Sequence, residues 1–312
     1  MEKDSLIYVA GADTLIGAAI LRGLKNQGYS KVMGGNDLSI DLTDAGQVDA
    51  FFTRHHPEYV IDAAGKSGGI EANQKNPATL MLDNLMVESH LIDAAYRHGV
   101  KKMLYLASSC CYPRDCAQPM RVEALLTGPL EPTNEAYAVA KIAGIKLSQA
   151  YRQQFGCNFI VGIPANAFGV DDDFSKEDSH VVPAMLRRMH EAKIKGTDQV
   201  EIWGTGTPRR EFIFADDLAD ACIFVMNHYD EEDPINLGGG VDVSIRELAQ
   251  LAAQVVGFSG RLSFDTSKPD GMPLKALDSS KLLSLGWTAK TPFIDALKAT
   301  YGSYLQRSSG DQ

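Results

Sequence analysis

The chain has 312 residues, 45% hydrophobic and 22% charged, with a net charge of -10 and a pI of about 5.2. These are the fractions of a globular protein, long enough for an ample core in one large domain or two joined ones. The acidic balance argues against non-specific nucleic-acid binding, which needs a basic footprint, while a few local arginines would still suffice for a small anionic ligand. The opening MEKDSLIYVAGAD has an apolar stretch of only about five residues before glycine, unlike a signal peptide. No run approaches the ~20 apolar residues of a membrane span, so a cytoplasmic protein without a membrane partner is expected. The cysteines are Cys110, Cys111, Cys116, Cys157 and Cys222, and an odd number argues against a disulfide framework.

In chain order, SLIYVA (5–10) reads as a buried strand and TLIGAAILRGLKNQG (14–28) as a helix ended by Gly28. KVM (31–33) is a short strand, 44–56 a helix and EYVIDAA (58–64) a third strand. A long helix covers 77–99. KKMLYLA (101–107) is apolar on both faces, as central parallel strands are. A helix over 135–155 and the strand NFIVGIP (158–164) follow. This alternation predicts an α/β fold, a doubly wound parallel sheet with ligands beyond the carboxyl ends of its strands. The second half is less regular, with helical patterns near 180–194, 216–228, 244–257 and 293–306 and short strands between, read as interleaved lobes around a cleft.

AGADTLIG (10–17) is a strand-to-helix turn with Gly11 and Gly17, able to bring backbone amides and a helix N-terminus to a pyrophosphate. Thr14 stands where a third glycine is usual in G-x-x-G-x-x-G. A merely tight turn is the plainer reading; position in the first strand and helix supports the other. After the second strand, Asp41 and Leu42 could meet an adenine, or Asp41 could cap the next helix.

Tyr137 and Lys141, in NEAYAVAKIAG, lie four apart on one helix face. That spacing suits a proton donor whose pKa is lowered by a neighbouring ammonium, and the same lysine can bind a ribose hydroxyl. Ser108, in the strand-end sequence SSCCYP about 29 positions earlier, is the expected third member, holding a substrate oxygen. No paired C-x-x-C spacing accompanies Cys110, Cys111 and Cys116, so no metal site is expected.

With these residues placed, the chain resembles the extended short-chain dehydrogenase/reductases and, among them, the GDP-L-fucose synthase family of 3,5-epimerase-4-reductases. The matching stretches are GGIEAN (68–73), SSCCYP (108–113), LLTGPLEPTNEAYAVAKIAGIKL (125–147), DSHVVPAMLRRMHEA (178–192), WGTGTPRREFI (203–213), SIRELAQ (244–250) and SKPDG (267–271). The resemblance implies a Rossmann-type sheet with a smaller C-terminal substrate-binding lobe. It divides the chain into a dinucleotide-binding domain, 1–165 with roughly 212–240, and a GDP-sugar-binding lobe, 166–211 and 241–312. It implies a 4-keto sugar whose carbonyl acidifies the C3 and C5 protons, with Cys110 at the family's base position, His180 at its acid position, and Ser108 and Tyr137 on the enolate oxygen. Thiol and imidazole, with reference pKa values of ~8.5 and ~6.5, can both exchange protons near neutrality. The plainer readings are a small buried hydrophobe for Cys110 and a helix cap for His180. Cys111 is read as a packing residue.

The family's cofactor, NADP(H), would run along Gly11, Asp13, Thr14, Leu15, Ile16, Gly17, Asp41, Leu42, Leu106, Ser108, Tyr137, Lys141, Pro164, Asn166 and His180. Ser108, Arg188, Trp203, Arg210 and Asp270 match positions that contact the GDP-sugar, arginine suiting phosphate by its fork. A surface charge, a core aromatic and a salt bridge are the plainer roles for Arg188, Trp203 and Arg210. Departures from the family concern the cofactor first. Asp13 replaces a basic loop residue, and MGGND (33–37), with Asp37, replaces arginines after the second strand. Thr14 would crowd the phosphate approach. A weakened NADP(H) preference is expected, with NAD(H) as an alternative donor. PANAFGV (164–170) and Leu274, at a commonly basic position, also depart, so a related GDP-4-keto sugar, as in colitose-type synthases, is the nearest rival. A 4,6-dehydratase lacks its carboxylate near Ser108. A non-catalytic dinucleotide sensor would not need Ser108, Tyr137 and Lys141 intact. The apolar surfaces of helices 77–99 and 135–155 imply a homodimer through a four-helix interface.

Overall fold

The computed structural model describes residues 1–35, 40–175, 179–239, 241–268, 270 and 272–310. Asp37 lies outside the described residues. The chain opens β1 (Leu6–Ala10), α1 (Leu15–Asn26), β2 (Lys31–Met33), α2 (Ala45–His55), β3 (Tyr59–Asp62), α3 (Ile70–Lys75), α4 (Pro77–Arg97) and β4 (Lys102–Leu106), then α5 (Glu135–Phe155) and β5 (Phe159–Pro164). Caps fix where the helices begin. Thr14 accepts from the Gly17 amide at the start of α1, and Asp44 accepts from the amides of Gly46 and Gln47 at the start of α2.

These strands, with β9 (Ile235–Leu237), form a parallel sheet in the order β2-β1-β3-β4-β5-β9. Every residue of β3, β4 and β5 is buried, because helices cover both faces and leave no solvent side. The order reverses between β1 and β3, the place where open α/β sheets leave a crevice for ligand. The core of this body includes Ile7, Ile20, Leu104, Tyr105, Ile160 and Leu237, and α7 (Ala215–His228) packs on α1 beside it.

The less regular half builds a second core. It contains β6 (Asn166–Phe168), α6 (Val181–Lys195), β7 (Gln199–Trp203), β8 (Arg209–Phe214), β10 (Val241–Ser244), α8 (Ile245–Val256), β11 (Arg261–Asp265), β12 (Leu274–Lys275), α9 (Ser280–Ser284) and α10 (Phe293–Gly310). β8 lies between β10 and β12 and also pairs with β6, while β7 pairs with β11. Phe168, Leu186, Met189, Phe212, Leu248 and Leu297 fill the core between them. α8 starts with a full capping box, Ser244 and Glu247 exchanging side-chain and backbone bonds. Leu277, Leu282 and Trp287 instead pack into the first core. No helix among the described residues is long and apolar enough to cross a membrane.

Candidate active site

The loop between β1 and α1 is tight for steric reasons. Gly11 has φ +70°, and a Cβ there would lie 2.5 Å from Ala64 Cα; one on Gly17 would lie 2.0 Å from the Gly11 carbonyl oxygen. Both glycines let the helix start against the next strand, so its N-terminus faces the crevice. The Thr14 hydroxyl turns back, donating to the Gly11 carbonyl at 2.8 Å and accepting from the Gly17 amide at 3.1 Å. The expectation that it crowds the phosphate approach is therefore modified: the hydroxyl is used as a cap, and it takes up one of the helix's free donors.

Two cavities meet at this loop, sharing Asp13, Thr14, Ala64 and Gly65. One, about 680 Å³, lies over the β1–β2 side and is lined by Gly11, Gly34, Gly35, Asp41, Leu42 and Lys66, among others. Asp41 also accepts from the Thr43 hydroxyl and amide, which hold its carboxyl below the usual range; the helix cap itself is Asp44. Among the described lining residues the cation is Lys66, which is paired with Asp83 at 2.6 Å.

The other cavity, about 490 Å³, brings together Leu15, Ile16, Leu106, Ser108, Cys110, Tyr137, Lys141, Pro164, Asn166 and His180. β4 ends at Leu106, and a 3₁₀ turn (Ser109–Cys111) follows, capped by the Ser108 oxygen accepting from the Cys110 amide at 3.2 Å. That turn separates the two thiols. Cys111 is fully buried against the Ala138 carbonyl, and burial pushes its thiol up to about 12. Cys110 is half-buried in the cleft and its sulfur faces two donors, the Asn134 amide at 3.1 Å and the Lys275 ammonium at 3.6 Å.

Tyr137 and Lys141 share the inner face of α5. The Tyr137 hydroxyl is hydrogen-bonded to Ser108, which pulls its pKa down, yet burial dominates and the group sits well above its ordinary value. This corrects the expected lowering by the ammonium. Lys141 Nζ donates instead to the Leu106 carbonyl at 3.2 Å and lies 5.0 Å from the Tyr105 ring centre. Its charge acts on two buried carboxyls. Burial raises Asp62 to about 6 and Glu88 to about 7, and Lys141 opposes both rises.

The far wall comes from the second lobe. His180 occupies the N-cap position of α6, but its ring makes no capping bond and faces the cavity. Although its surface is open to the cleft, surrounding protein desolvates the ring and lowers its pKa, against the opposing pull of Asp173. Asn166 donates to the Glu211 carbonyl at 3.1 Å.

Arg188, Trp203, Arg210 and Asp270 line neither cavity. Arg188 donates to the Glu201 carbonyl. Trp203 is 66% exposed at the end of β7, with Lys268 Nζ 5.4 Å from its ring centre, so it is not a core aromatic. Arg210 donates to the Arg209 and Met272 carbonyls rather than forming the salt bridge considered for it. Asp270 accepts from the Thr205 amide and hydroxyl at 2.7 and 2.8 Å.

Asn134 and Lys275 are the residues that sequence reasoning missed. Asn134 is adjacent to the recognised NEAYAVAK stretch, so position was an available signal. Lys275 follows Leu274, the position noted for lacking a basic residue; the charge falls one place later, and β12 pairing sets Lys275 beside Arg210. Among the described residues no cluster of three or more His, Cys, Asp or Glu could hold a metal.

Residues 7–238 match the NAD dependent epimerase/dehydratase family. GDP-L-fucose synthase 1 of Arabidopsis thaliana is 51% identical over 305 residues, covering 98% of this chain and 94% of that one. GDP-L-fucose synthase of Escherichia coli (strain K12) is 44% identical, covering 96% of each. Among solved structures, a GDP-L-fucose synthetase from Naegleria fowleri bound to NADP superposes with a TM-score of 0.92 at 32% identity, covering 99% of this chain and 95% of that one. The chain thus belongs to the NAD dependent epimerase/dehydratase family and, within it, to the GDP-L-fucose synthase group.

Proposed function

We propose that this protein converts GDP-4-keto-6-deoxy-D-mannose to GDP-L-fucose by 3,5-epimerisation and 4-reduction with NADP(H). The observation that carries the reading is the single cavity holding Ser108, Cys110, Tyr137, Lys141 and His180, with two donors converging on the Cys110 sulfur. Those donors fix where the sulfur sits, in the same cavity as Ser108 and Tyr137.

The groove fits a dinucleotide. The Gly11 and Gly17 positions leave no room for a Cβ, the N-terminus of α1 opens into the groove, and the groove lies at the reversal point of the sheet. Gly11, Asp13, Thr14, Leu15 and Ile16 would hold its phosphates, Asp41 and Leu42 its adenosine end, and Lys141 its ribose near Leu106, Pro164 and Asn166. When bound, the cofactor supplies hydride for the C4 carbonyl.

This chain's residues do the rest. Cys110 removes the protons at C3 and C5 in separate steps, while Ser108 and Tyr137 hydrogen-bond the oxygen on which the enolate charge gathers. His180 returns a proton from the opposite face each time; between the steps Cys110 releases its proton to water and His180 takes one up. Tyr137 finally gives its hydroxyl proton to the C4 oxygen. Arg188, Trp203, Arg210 and Asp270 take the GDP-sugar.

The test is incubation with the GDP-4-keto sugar in heavy water without reductant. Deuterium should enter C3 and C5, Cys110→Ser should suppress entry, and unchanged entry in that variant would remove Cys110 as the base. A related GDP-4-keto sugar is the second reading, because Ala165 and Ala167, where the sequence departs from its relatives, line the cleft. Comparing turnover across such sugars separates the two.

The same reading includes a homodimer in the cytoplasm. Leu82 and Tyr96 on α4, with Val139 and Phe155 on α5, are exposed large apolar side chains, and Tyr96 stacks on Phe155 at 4.2 Å. Light scattering on Leu82→Glu should report a shift to monomer.

A further inference from the structure

A groove for a dinucleotide must meet two phosphates, yet the central cavity carries Asp13, Asp171, Asp172 and Asp173 on its walls. Its lysine and arginine among the described lining residues are Lys141 and Arg307. Lys141 is 5% exposed and engaged with the Leu106 carbonyl beside Asp62 and Glu88. Arg307 is half-exposed, on the last helix of the chain, and lines the same cavity as Thr14 and Leu15.

We infer that Arg307 is a cofactor-binding residue, supplying the positive charge for the dinucleotide's diphosphate; the inference rests on the dinucleotide reading above. Its guanidinium is pre-aimed by Asp171, at 2.8 Å, and by the Asp172 carbonyl, at 3.2 Å. Asp171 is also held at 3.0 Å by Arg22 of α1, which in turn grips Asp216 at 2.8 Å. One carboxylate thus ties the helix whose N-terminus faces the phosphates to the helix that carries Arg307. A diphosphate entering between them offers Arg307 an anionic partner that accepts its planar fork in pairs. Asp171 keeps Arg22 when Arg307 turns to the phosphate, so no carboxylate is left unpaired. The charge arrives from the end of the chain, which explains how an acidic loop with Asp13 in it can still receive an anion.

The substrate brings a second diphosphate, so the test must separate the two. NADPH binding is read by fluorescence titration, and GDP binding and thermal melting are measured on the same full-length wild type, Arg307→Ala and Arg307→Lys proteins. Losing a charge-assisted contact should weaken NADPH binding in Arg307→Ala about tenfold or more and flatten its salt dependence. Arg307→Lys should recover part of the affinity. GDP affinity should stay at the wild-type value, and melting should fall by only a few degrees, because the ion pair lost with Asp171 is half-exposed. Unchanged NADPH affinity in Arg307→Ala overturns the inference, as does an equal loss for GDP, which would give the arginine to the substrate. A wild type that binds neither NADPH nor NADH overturns the dinucleotide reading itself, a different outcome from an arginine that has no effect.

Discussion

The floor and the far wall of the cleft are built in opposite ways. The floor, from Leu106 to Lys141, comes from one strand, one turn and one helix that share the first core, and its polar groups are tied by short-range bonds such as Ser108 to the Cys110 amide. The wall is gathered from His180, Asn166, the 171–173 loop, Lys275 and Arg307, segments that meet only because a second core brings them together. On the proposed reading, the floor holds the groups that reduce a ketone, and the wall meets the sugar and the cofactor's phosphates.

Breaking the floor should cost most. Tyr137→Phe removes the proton donor and should lower cofactor consumption by about 10²–10⁴-fold, while deuterium wash-in, which keeps Cys110, His180 and the proposed Ser108 contact to the enolate oxygen, falls less. Equal losses in both assays would erase the proposed division of labour.

Reaching the floor from the wall is the next test. Lys275→Met removes the ammonium that lies 3.6 Å from the Cys110 sulfur and should reduce wash-in about tenfold. Lys275→Arg, which keeps a charged donor, should restore much of it. Unchanged wash-in in Lys275→Met would mean that the lysine only packs.

The two regions also differ in how they bury carboxyls. On the floor, Asp62 and Glu88 are raised by burial but face Lys141. On the wall, burial raises Asp172 to about 7 against backbone donors and a more distant Arg307. Its folded pKa exceeds the unfolded one, so the native state binds more protons and stability falls as pH rises from about 4 to about 7, then levels off. Asp172→Asn should flatten that decline by several degrees of melting temperature, on the order of 4 kcal/mol as an upper bound. Identical pH slopes would show that this carboxyl is not the one being charged.

The smallest expected effect lies at the adenosine end. With Asp13 and Asp41 on its wall and Lys66 already paired to Asp83, NADPH should be preferred to NADH by less than about tenfold. Asp13→Arg should widen the gap several-fold. A strong NADPH preference in the wild type would mean that the acidic loop does not govern cofactor choice.

Much of the floor could be read before any coordinates. Tyr137 and Lys141 lie four apart, and helix periodicity alone puts them on one face. Gly11 and Gly17 marked the turn, and the unbroken apolar runs around Val60, Leu104 and Ile160 marked strands buried on both sides. The wall was less legible. β12 is two residues long and β7 finds β11 some sixty residues away, so neither leaves a periodic signal. Trp203 and Arg210 were singled out by resemblance, and their plainer readings as core aromatic and salt bridge did not survive the exposure and the carbonyl partners seen here.

Local spacing thus determined the parallel sheet, the glycine turn and the serine, tyrosine and lysine of the floor, because backbone geometry repeats over a few residues and carries side chains with it. Tertiary structure alone decided that Lys275 reaches a sulfur 165 positions away, that Cys110 opens to the cleft while Cys111 is buried, and that desolvation outweighs the Ser108 hydrogen bond at Tyr137. Those outcomes depend on which surfaces pack together and how much water they exclude, and no local spacing encodes either.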